Sequence, residues 1–485
     1  MSSLRHDASM DARETYLYHA LAGRLSQAIR AGSLKAGDRL PSVRQLSQQH
    51  QVSIATAVQA YRWLENQRLI EARPKSGYFV ISRGRRLELP NVSSPPLSAS
   101  FVGINHVVME YLQCSELPDV VPLGCATPSE TLYPGDKLAR LLASIARHHP
   151  RMSARYAMSM GHPSLRKAIA RRAVEFGCAL AEDDIVVTHG CTEALNLALR
   201  AVARSGDTIA LESPTYFSLL QIIESLGMKA IEIPTDPREG ISLEALDLAT
   251  QQPGAVKAVM LITNFSNPLG SLMPDAKKER LVRLLDARGI PLIEDDIYGE
   301  AYFGRARPLV AKAWDKTGNV LLCSSFTKSL APGYRIGWIA PGKYRPQVEL
   351  LKFISSITTP ELPQFAIAQF MTDGGYDHHL RKMRSAFARQ VEQASQAVAE
   401  HFPAECRITE PQGGFVLWVE LPEAIDAVEL FQAARAHKIA IAPGSMFTNS
   451  GKYRNFIRLN CGHPWTSRMD AAIAQLARLI DQLSA

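Results

Sequence analysis

No run of about 18 or more apolar residues occurs in the 485 residues, so no membrane-spanning helix is expected. The opening residues, MSSLRHDASMDARETY, lack an apolar signal core, and a cytoplasmic location is expected. The seven cysteines (Cys114, Cys125, Cys178, Cys191, Cys323, Cys406 and Cys461) form no CxxC pair. Free thiols in a reducing compartment are expected, with neither a disulfide framework nor a metal site. No internal repeat is visible, and nothing in the composition marks a disordered or fibrous chain. What is present is an ordinary globular composition, 46% hydrophobic and 21% charged, at a length that suggests two or three domains.

Positive charge is unevenly spread. Residues 1–86 carry 14 Lys/Arg against 6 Asp/Glu, which leaves 40 against 41 for the remainder. The whole excess of +7 therefore sits in the first segment. A compact basic module on a neutral body is the electrostatic footprint of nucleic-acid binding, although a basic segment can also serve solubility alone.

Leu17, Leu21, Leu25 and Ile29 recur at a spacing of four and predict a helix over 15–31, ended by Gly32 and Gly37. Ser42 stands three residues before Gln45, a capping-box spacing, with Val43 and Leu46 turned inward. After a break at Gln51–Val52, Ser53 is the expected N-cap of a further helix that buries Ala57, Val58, Tyr61 and Leu64. LIEARPKSGYFV then reads as two short strands joined by a turn with Pro74, Ser76 and Gly77. Helix, helix–turn–helix and hairpin together describe a winged helix-turn-helix domain over 1–82. Residues 83–118, rich in Ser, Pro and Arg, read as a linker, with a short helix around Val107–Cys114. From 119 to 485, apolar runs at 184–188, 207–211, 258–263, 290–295 and 320–325 alternate with helical stretches such as Thr192–Ala203 and Ala276–Arg288. This predicts a large, mostly parallel α/β sheet domain with a smaller terminal α/β lobe.

Six short motifs carry chemistry. Lys328 follows a strand end among Ser325, Thr327 and Ser329, with Arg335 seven residues on. Hydroxyls and a guanidinium suit a phosphorylated ligand, and the amine suits a Schiff base with an aldehyde cofactor; a lone loop lysine is otherwise a solvated amine. Asp295 closes another strand, and Tyr298 follows three later. A carboxylate there could keep a pyridine nitrogen protonated; a bare acidic loop is the plainer reading. Asn267 precedes a proline at a strand end, as a ligand donor or simply a turn. Gly190, Cys191 and Thr192 open a helix whose backbone N–H groups could hold a phosphate. Tyr216 follows a strand, as a ring stacker or as core, and Arg458 suits bidentate carboxylate binding or a structural ion pair.

Taken in order, these motifs resemble the fold-type I, class I/II aminotransferases over roughly 120–485. The resemblance implies pyridoxal 5'-phosphate as cofactor, with Lys328 as the lysine joined to it. It pairs Asp295 with the pyridine nitrogen, sets Asn267 and Tyr298 at O3′, and stacks Tyr216 on the ring. Cys191, Thr192, Ser325, Thr327 and Arg335 would hold the phosphate, and Arg458 the α-carboxylate of an amino acid. VPLGCATP resembles the family's glycine-bearing segment, which places Gly124 at the substrate site, and RYAMSMGHPSLR implies that Tyr156 reaches the partner subunit's site. GDRLPSVRQLSQQHQVS followed by SGYFV resembles the GntR-type winged helix. By that resemblance Arg44 contacts DNA, Ser53, Thr56 and Gln59 face the major groove, and Lys75, Ser76 and Gly77 sit on the wing. The two halves in this order resemble the MocR-type regulators.

Two functions follow as expectations. One is a homodimeric transcriptional regulator that binds double-stranded DNA and senses pyridoxal phosphate, an amino acid, or both. The other is a working aminotransferase, acting on amino and keto acids, that carries a DNA-binding head.

Overall fold

The computed structural model describes residues 17–29, 33–35, 37–66, 69–73, 76–80, 87–104, 108–109, 111, 119–157 and 160–484. The chain divides into two compact units, Met1–Arg86 and Leu87–Ala485.

In the first unit a helix over 17–29 (α1) precedes α2 (Val43–His50) and α3 (Ile54–Asn66), followed by the antiparallel pair β1 (Ile70–Arg73) and β2 (Gly77–Val80). The Ser42 capping box forms: the Gln45 N–H donates to Ser42 Oγ (3.3 Å), and the Ser42 N–H donates to Gln45 Oε1 (2.9 Å). Gln51, at φ 51°, ends α2 in the left-handed region and turns the chain toward α3. Ser53 Oγ accepts the Thr56 N–H (3.0 Å) and so caps α3. Leu21, Leu46, Ala57, Tyr61, Leu64 and Val80 form one core, and the Tyr61 hydroxyl donates to the Pro41 carbonyl (2.5 Å). Val43 and Val58, expected inside, are only half-buried.

The second unit is built on one large sheet. Its strands are β3 (Ser100–Phe101), β5 (Val186–Thr188), β6 (Thr208–Ser213), β7 (Lys229–Asp236), β9 (Ala258–Leu261), β10 (Leu292–Asp295), β11 (Val320–Ser325) and β12 (Gly337–Ala340), in the order β3-β7-β6-β9-β10-β11-β12-β5. A further short strand, β8 (Gly240–Ile241), pairs with β7. Strands β7, β6, β9, β10 and β11 run parallel, while β12 is antiparallel to both of its neighbours. Both faces are covered, which explains the unbroken apolar runs: Ile209 and Leu211 enter one core while Ala210 enters the other, and Ala258 and Met260 lie opposite Val259 and Leu261. Because these five strands and β5, on the far side of β12, share one direction, their carboxyl ends share one edge, where ligands of open α/β sheets bind.

The smaller lobe is an antiparallel sheet of β13 (Arg407–Ile408), β14 (Val416–Glu420), β17 (Phe456–Asn460) and β16 (Ala442–Pro443), with helices Gly375–His401, Ala427–Ala436 and Ser467–Ser484. A short parallel pair joins β4 (Val121–Pro122) to β15 (Ile439–Ala440).

The stretch expected to be a linker is in part a sheet edge. β3 pairs antiparallel with β7, Glu88 bridges Arg407, and the Thr235 N–H donates to Ser93 Oγ (2.8 Å). Leu87, Val102 and Ile104 are buried in the same core as the sheet. Backbone pairing supplies the order that side-chain periodicity does not signal. Of the helix expected around Val107–Cys114, only residues 108, 109 and 111 are described.

Ser42→Ala removes one half of the capping box and is expected to destabilise the head by about 1 kcal/mol. Native-state hydrogen exchange checks this: the α2 amides exchange faster in the variant, and the amides of β9 and β10 do not change.

Candidate functional site

Strand ends deliver most of the site. Asp295 is the last residue of β10, Lys328 stands three beyond β11, and Tyr216 stands three beyond β6. From β5 the chain enters helix Gly190–Val202, so its first amides point at the same edge. A cavity of about 230 Å³ lies here, and Cys191, Thr192, Tyr216, Asp295, Tyr298 and Lys328, together with Thr327 and Arg335, line it. A larger surface hollow of about 630 Å³, among helices Gly135–His148, Pro163–Ala173 and Glu361–Thr372, shares no residue with it.

Lys328 Nζ donates to the Ala126 carbonyl (2.6 Å) and has no carboxylate partner among the described residues. Burial brings its pKa down to about 8; the nearby Cys125 pulls the other way, while Arg458 and Arg335 add to the depression. Asp295 accepts the Ile297 N–H (3.1 Å) and the Cys191 thiol (3.3 Å), both on Oδ1. Burial pushes its pKa up to about 7 against those hydrogen bonds.

A second chain of bonds lies behind the cavity. Arg458 Nη1 donates to Asn267 Oδ1 (2.9 Å), and Asn267 Nδ2 donates to the Tyr298 oxygen (3.2 Å). Arg458 Nη2 donates to the Gly124 carbonyl (2.7 Å) and the Tyr111 hydroxyl (3.4 Å), and its guanidinium lies 4.9 Å over the Phe447 ring. Arg458 is 1% exposed, its Nε has no partner, and no carboxylate pairs with it among the described residues. A buried cation without a counter-ion is costly and is well suited to an anionic ligand.

The helix end is shaped by close approach. Gly190 has φ +74°, and a Cβ there would lie 2.5 Å from Arg335 Nη2. The glycine thus lets a guanidinium sit against the first turn of the helix, beside amides that favour an anion. Arg335 Nη1 also donates to Thr327 Oγ1 (3.4 Å).

The structure places four of the expected residues as follows. The Cys191 side chain turns to Asp295, so only its backbone stands at the helix end. Ser325 is buried and accepts the Thr327 N–H (3.2 Å), shaping the turn and lying outside the cavity lining. Gly124 contributes its carbonyl to Arg458, and a Cβ on it would meet Tyr111 at 3.0 Å and the Ile441 backbone at 3.1 Å. Tyr156 is 77% exposed and does not line the cavity of its own chain. The motifs missed the Ala126 carbonyl, Tyr111 and Phe447; the first is a backbone group with no residue-type signal, and the aromatic pair sits outside any motif.

On the head, Arg44, Ser53 and Gln59 are exposed, Ser76 stands in the β1–β2 turn, and Gly77, at φ +106°, opens β2. Thr56 corrects the expectation that it faces the groove: it is 3% exposed and hydrogen-bonded to Ser53, closing the start of α3. Lys75 lies outside the described residues.

Parallel strands that bring an amine, a carboxylate and a helix end to one edge, backed by an uncompensated guanidinium, form the body of a fold-type I aminotransferase. The aminotransferase class I and II family model matches residues 129–476, and the model for bacterial regulatory proteins of the gntR family matches residues 17–80. The chain therefore belongs to the class I and II aminotransferase family in its MocR-type form, in which a GntR-type DNA-binding head is fused to the aminotransferase-like domain. It is 40% identical over 464 residues to the HTH-type transcriptional regulator YjiR of Escherichia coli (strain K12), covering 96% of this chain and 98% of that one. It is 42% identical over 466 residues to YdcR of the same organism, covering 96% and 99%. Among solved structures it resembles LysN, an alpha-aminoadipate aminotransferase from Thermus thermophilus complexed with N-(5'-phosphopyridoxyl)-L-leucine, at 25% identity and TM-score 0.71, covering 78% of this chain and 95% of that one.

Gly190→Ala adds a methyl where the backbone is left-handed and Arg335 leaves no room. A loss of more than about 1 kcal/mol is expected, read as a lower melting temperature.

Proposed function

We propose that the chain is a DNA-binding transcriptional regulator that senses pyridoxal 5'-phosphate, an amino acid, or both through the cavity at Lys328. The observation that carries this reading is the pairing, in one chain, of a GntR-type head with a cavity lined by a low-pKa amine and backed by a buried guanidinium lacking a carboxylate partner among the described residues.

The residues present fit the cofactor. The first amides of helix Gly190–Val202 and Arg335 would hold its phosphate, a fit supported by the space that Gly190 leaves. When bound, pyridoxal phosphate supplies an aldehyde and an electron-withdrawing pyridine ring. Lys328 Nζ is the amine nucleophile, and its depressed pKa leaves a useful uncharged fraction near neutral pH. Asp295 would hold a proton at the pyridine nitrogen. Asn267 already donates to the Tyr298 oxygen, which leaves the phenol hydrogen free to point toward the cofactor's O3′. Arg458 would take the α-carboxylate of an amino acid, and the leucine adduct in the Thermus enzyme supports a ligand of that class.

Double-stranded DNA is the partner of the head. Gln59 and Ser53 on the exposed side of α3, and Arg44 on α2, are its proposed contacts. A homodimer is proposed as well. Leu350, Phe353, Ile354 and Ile357 form an exposed apolar stripe along and just past helix Arg345–Ser356, with Ile354 66% exposed. A stripe of that kind is ordinarily covered by another surface. Ligand would alter DNA binding only so far as it binds two arrangements of the dimer with different affinity.

The completeness of the site keeps transamination as the second reading. Visible absorbance separates the two when the protein is titrated with pyridoxal phosphate and then with a panel of amino acids, each followed by a keto-acid assay. A band that shifts with one amino acid and yields little keto acid supports the sensor. Sustained keto-acid production supports the enzyme.

Lys328→Ala is expected to abolish the visible band while the protein stays folded; a borohydride-reducible adduct on another lysine would overturn the assignment. In the wild type the rate of cofactor capture rises with pH through about 8, because only the uncharged amine attacks and burial has lowered its pKa to that value. Arg44→Ala is expected to weaken DNA binding several-fold with cofactor binding unchanged, as measured by fluorescence anisotropy at fixed salt. Thr56→Ala, by contrast, lowers the stability of the head.

A further inference from the structure

Asp295 is held asymmetrically. Oδ1 accepts both the Cys191 thiol and the Ile297 amide, and Oδ2 accepts nothing among the described residues. Its acidic neighbours are occupied elsewhere. Glu294 accepts from Thr263, Ala311 and Lys312, and Asp296 pairs with Arg307 and Asn264. Glu212, the third nearby carboxyl, is pushed up to about 8 by burial and is therefore mostly uncharged at neutral pH. Across the cavity stand Lys328 and the phenols of Tyr216 and Tyr298, and burial raises the Cys323 thiol on the adjacent strand well above its usual range. Cys191 is therefore the one side chain that donates to the Asp295 carboxylate among the described residues.

We propose that Cys191 is a positioning residue: its thiol, with the Ile297 amide, turns the Asp295 carboxylate so that Oδ2 faces the cavity, and sets how readily that carboxylate ionises. The thiol cannot compete as an anion, because burial and the adjacent carboxylate hold its own pKa far above neutrality. It is also a weak donor, weaker than the hydroxyl a serine would supply. Asp295 is thereby left titrating close to neutral pH, at about 7, although burial is the larger cause. The proton on which a pyridine nitrogen would depend is thus tuned by a side chain that never touches the ring. This deepens the proposed cofactor reading and rests on it for what Oδ2 meets, while the thiol–carboxylate contact is a property of the chain alone.

Two measurements test the idea. The first uses the protein without cofactor and follows the infrared S–H band assigned to Cys191 by subtracting the Cys191→Ala spectrum. The band is expected to shift as pH crosses about 7 and to lose that dependence in Asp295→Asn. The second follows the infrared carbonyl band of protonated Asp295, identified by its loss in Asp295→Asn, against pH in the same cofactor-free protein. Cys191→Ala moves the midpoint up by about 0.5 to 1 pH unit, since losing a donor to the carboxylate favours its neutral form. Cys191→Ser returns it to or below the wild-type value, a rescue that a purely space-filling role would not give. An S–H band indifferent to both pH and Asp295→Asn overturns the proposal, as does an unchanged midpoint in Cys191→Ala. If the S–H band follows Asp295 and no protein, wild type included, yields a visible band on titration with pyridoxal phosphate, the cofactor reading fails and the role of Cys191 toward Asp295 stands.

Discussion

The shared direction of β7, β6, β9, β10 and β11 is the constraint on which the rest depends. Each strand ends at the same edge, so side chains far apart in sequence arrive together without long loops to carry them. Asp295, Tyr216 and Lys328 need only stand at or just past a strand end to meet. Both faces of the sheet are covered by helices, so the strands are mostly apolar, and their buried carboxyls, Glu212 and Glu294, stand one residue from strand ends while Glu232 is bonded within β7 by Thr448 and Asn449. Charge therefore gathers where the ligand is proposed to bind.

Once gathered, the groups are not neutralised by one another. Lys328 donates to a carbonyl, Arg458 to an amide oxygen, a hydroxyl and a carbonyl, and Asp295 receives a thiol and an amide. Contrast the pairs placed just behind. Arg307 meets Asp296 and Glu300, and Arg172 meets Glu300 and Asp377. Those ions satisfy each other, and Glu300 is held down to about 2 by its guanidiniums despite its burial. The same chain uses closed ion pairs for structure and leaves open ones at the cavity.

Much of this was legible because it is local. The Ser42–Gln45 box and the Ser53 cap are fixed by spacing, and both form. Apolar runs marked β5, β6, β9, β10 and β11 within a few residues, and the residues just past them, Lys328 and Tyr298, line the cavity. What escaped depends on three-dimensional neighbours. Thr56 looks like a polar residue on an exposed helix, and only the fold shows that α3 buries that side. The direction of the Cys191 thiol is set by Asp295, more than a hundred residues away. The Ala126 carbonyl has no residue-type signature, and a two-residue strand such as β3 has no periodicity to read.

The bond from Arg458 to Asn267 has a mechanical side. Arg458 stands on β17, in the small lobe, and Asn267 follows β9, in the large sheet, so this guanidinium is one stitch between the two lobes, beside those that Thr448 and Asn449 make to Glu232. No carboxylate among the described residues compensates that cation, and the stitch is made of one neutral amide oxygen. An anion arriving there would compete for the same hydrogens and draw them from the Asn267 oxygen. The hydrogens that a guest of the proposed kind would claim are therefore hydrogens that also hold one lobe to the other.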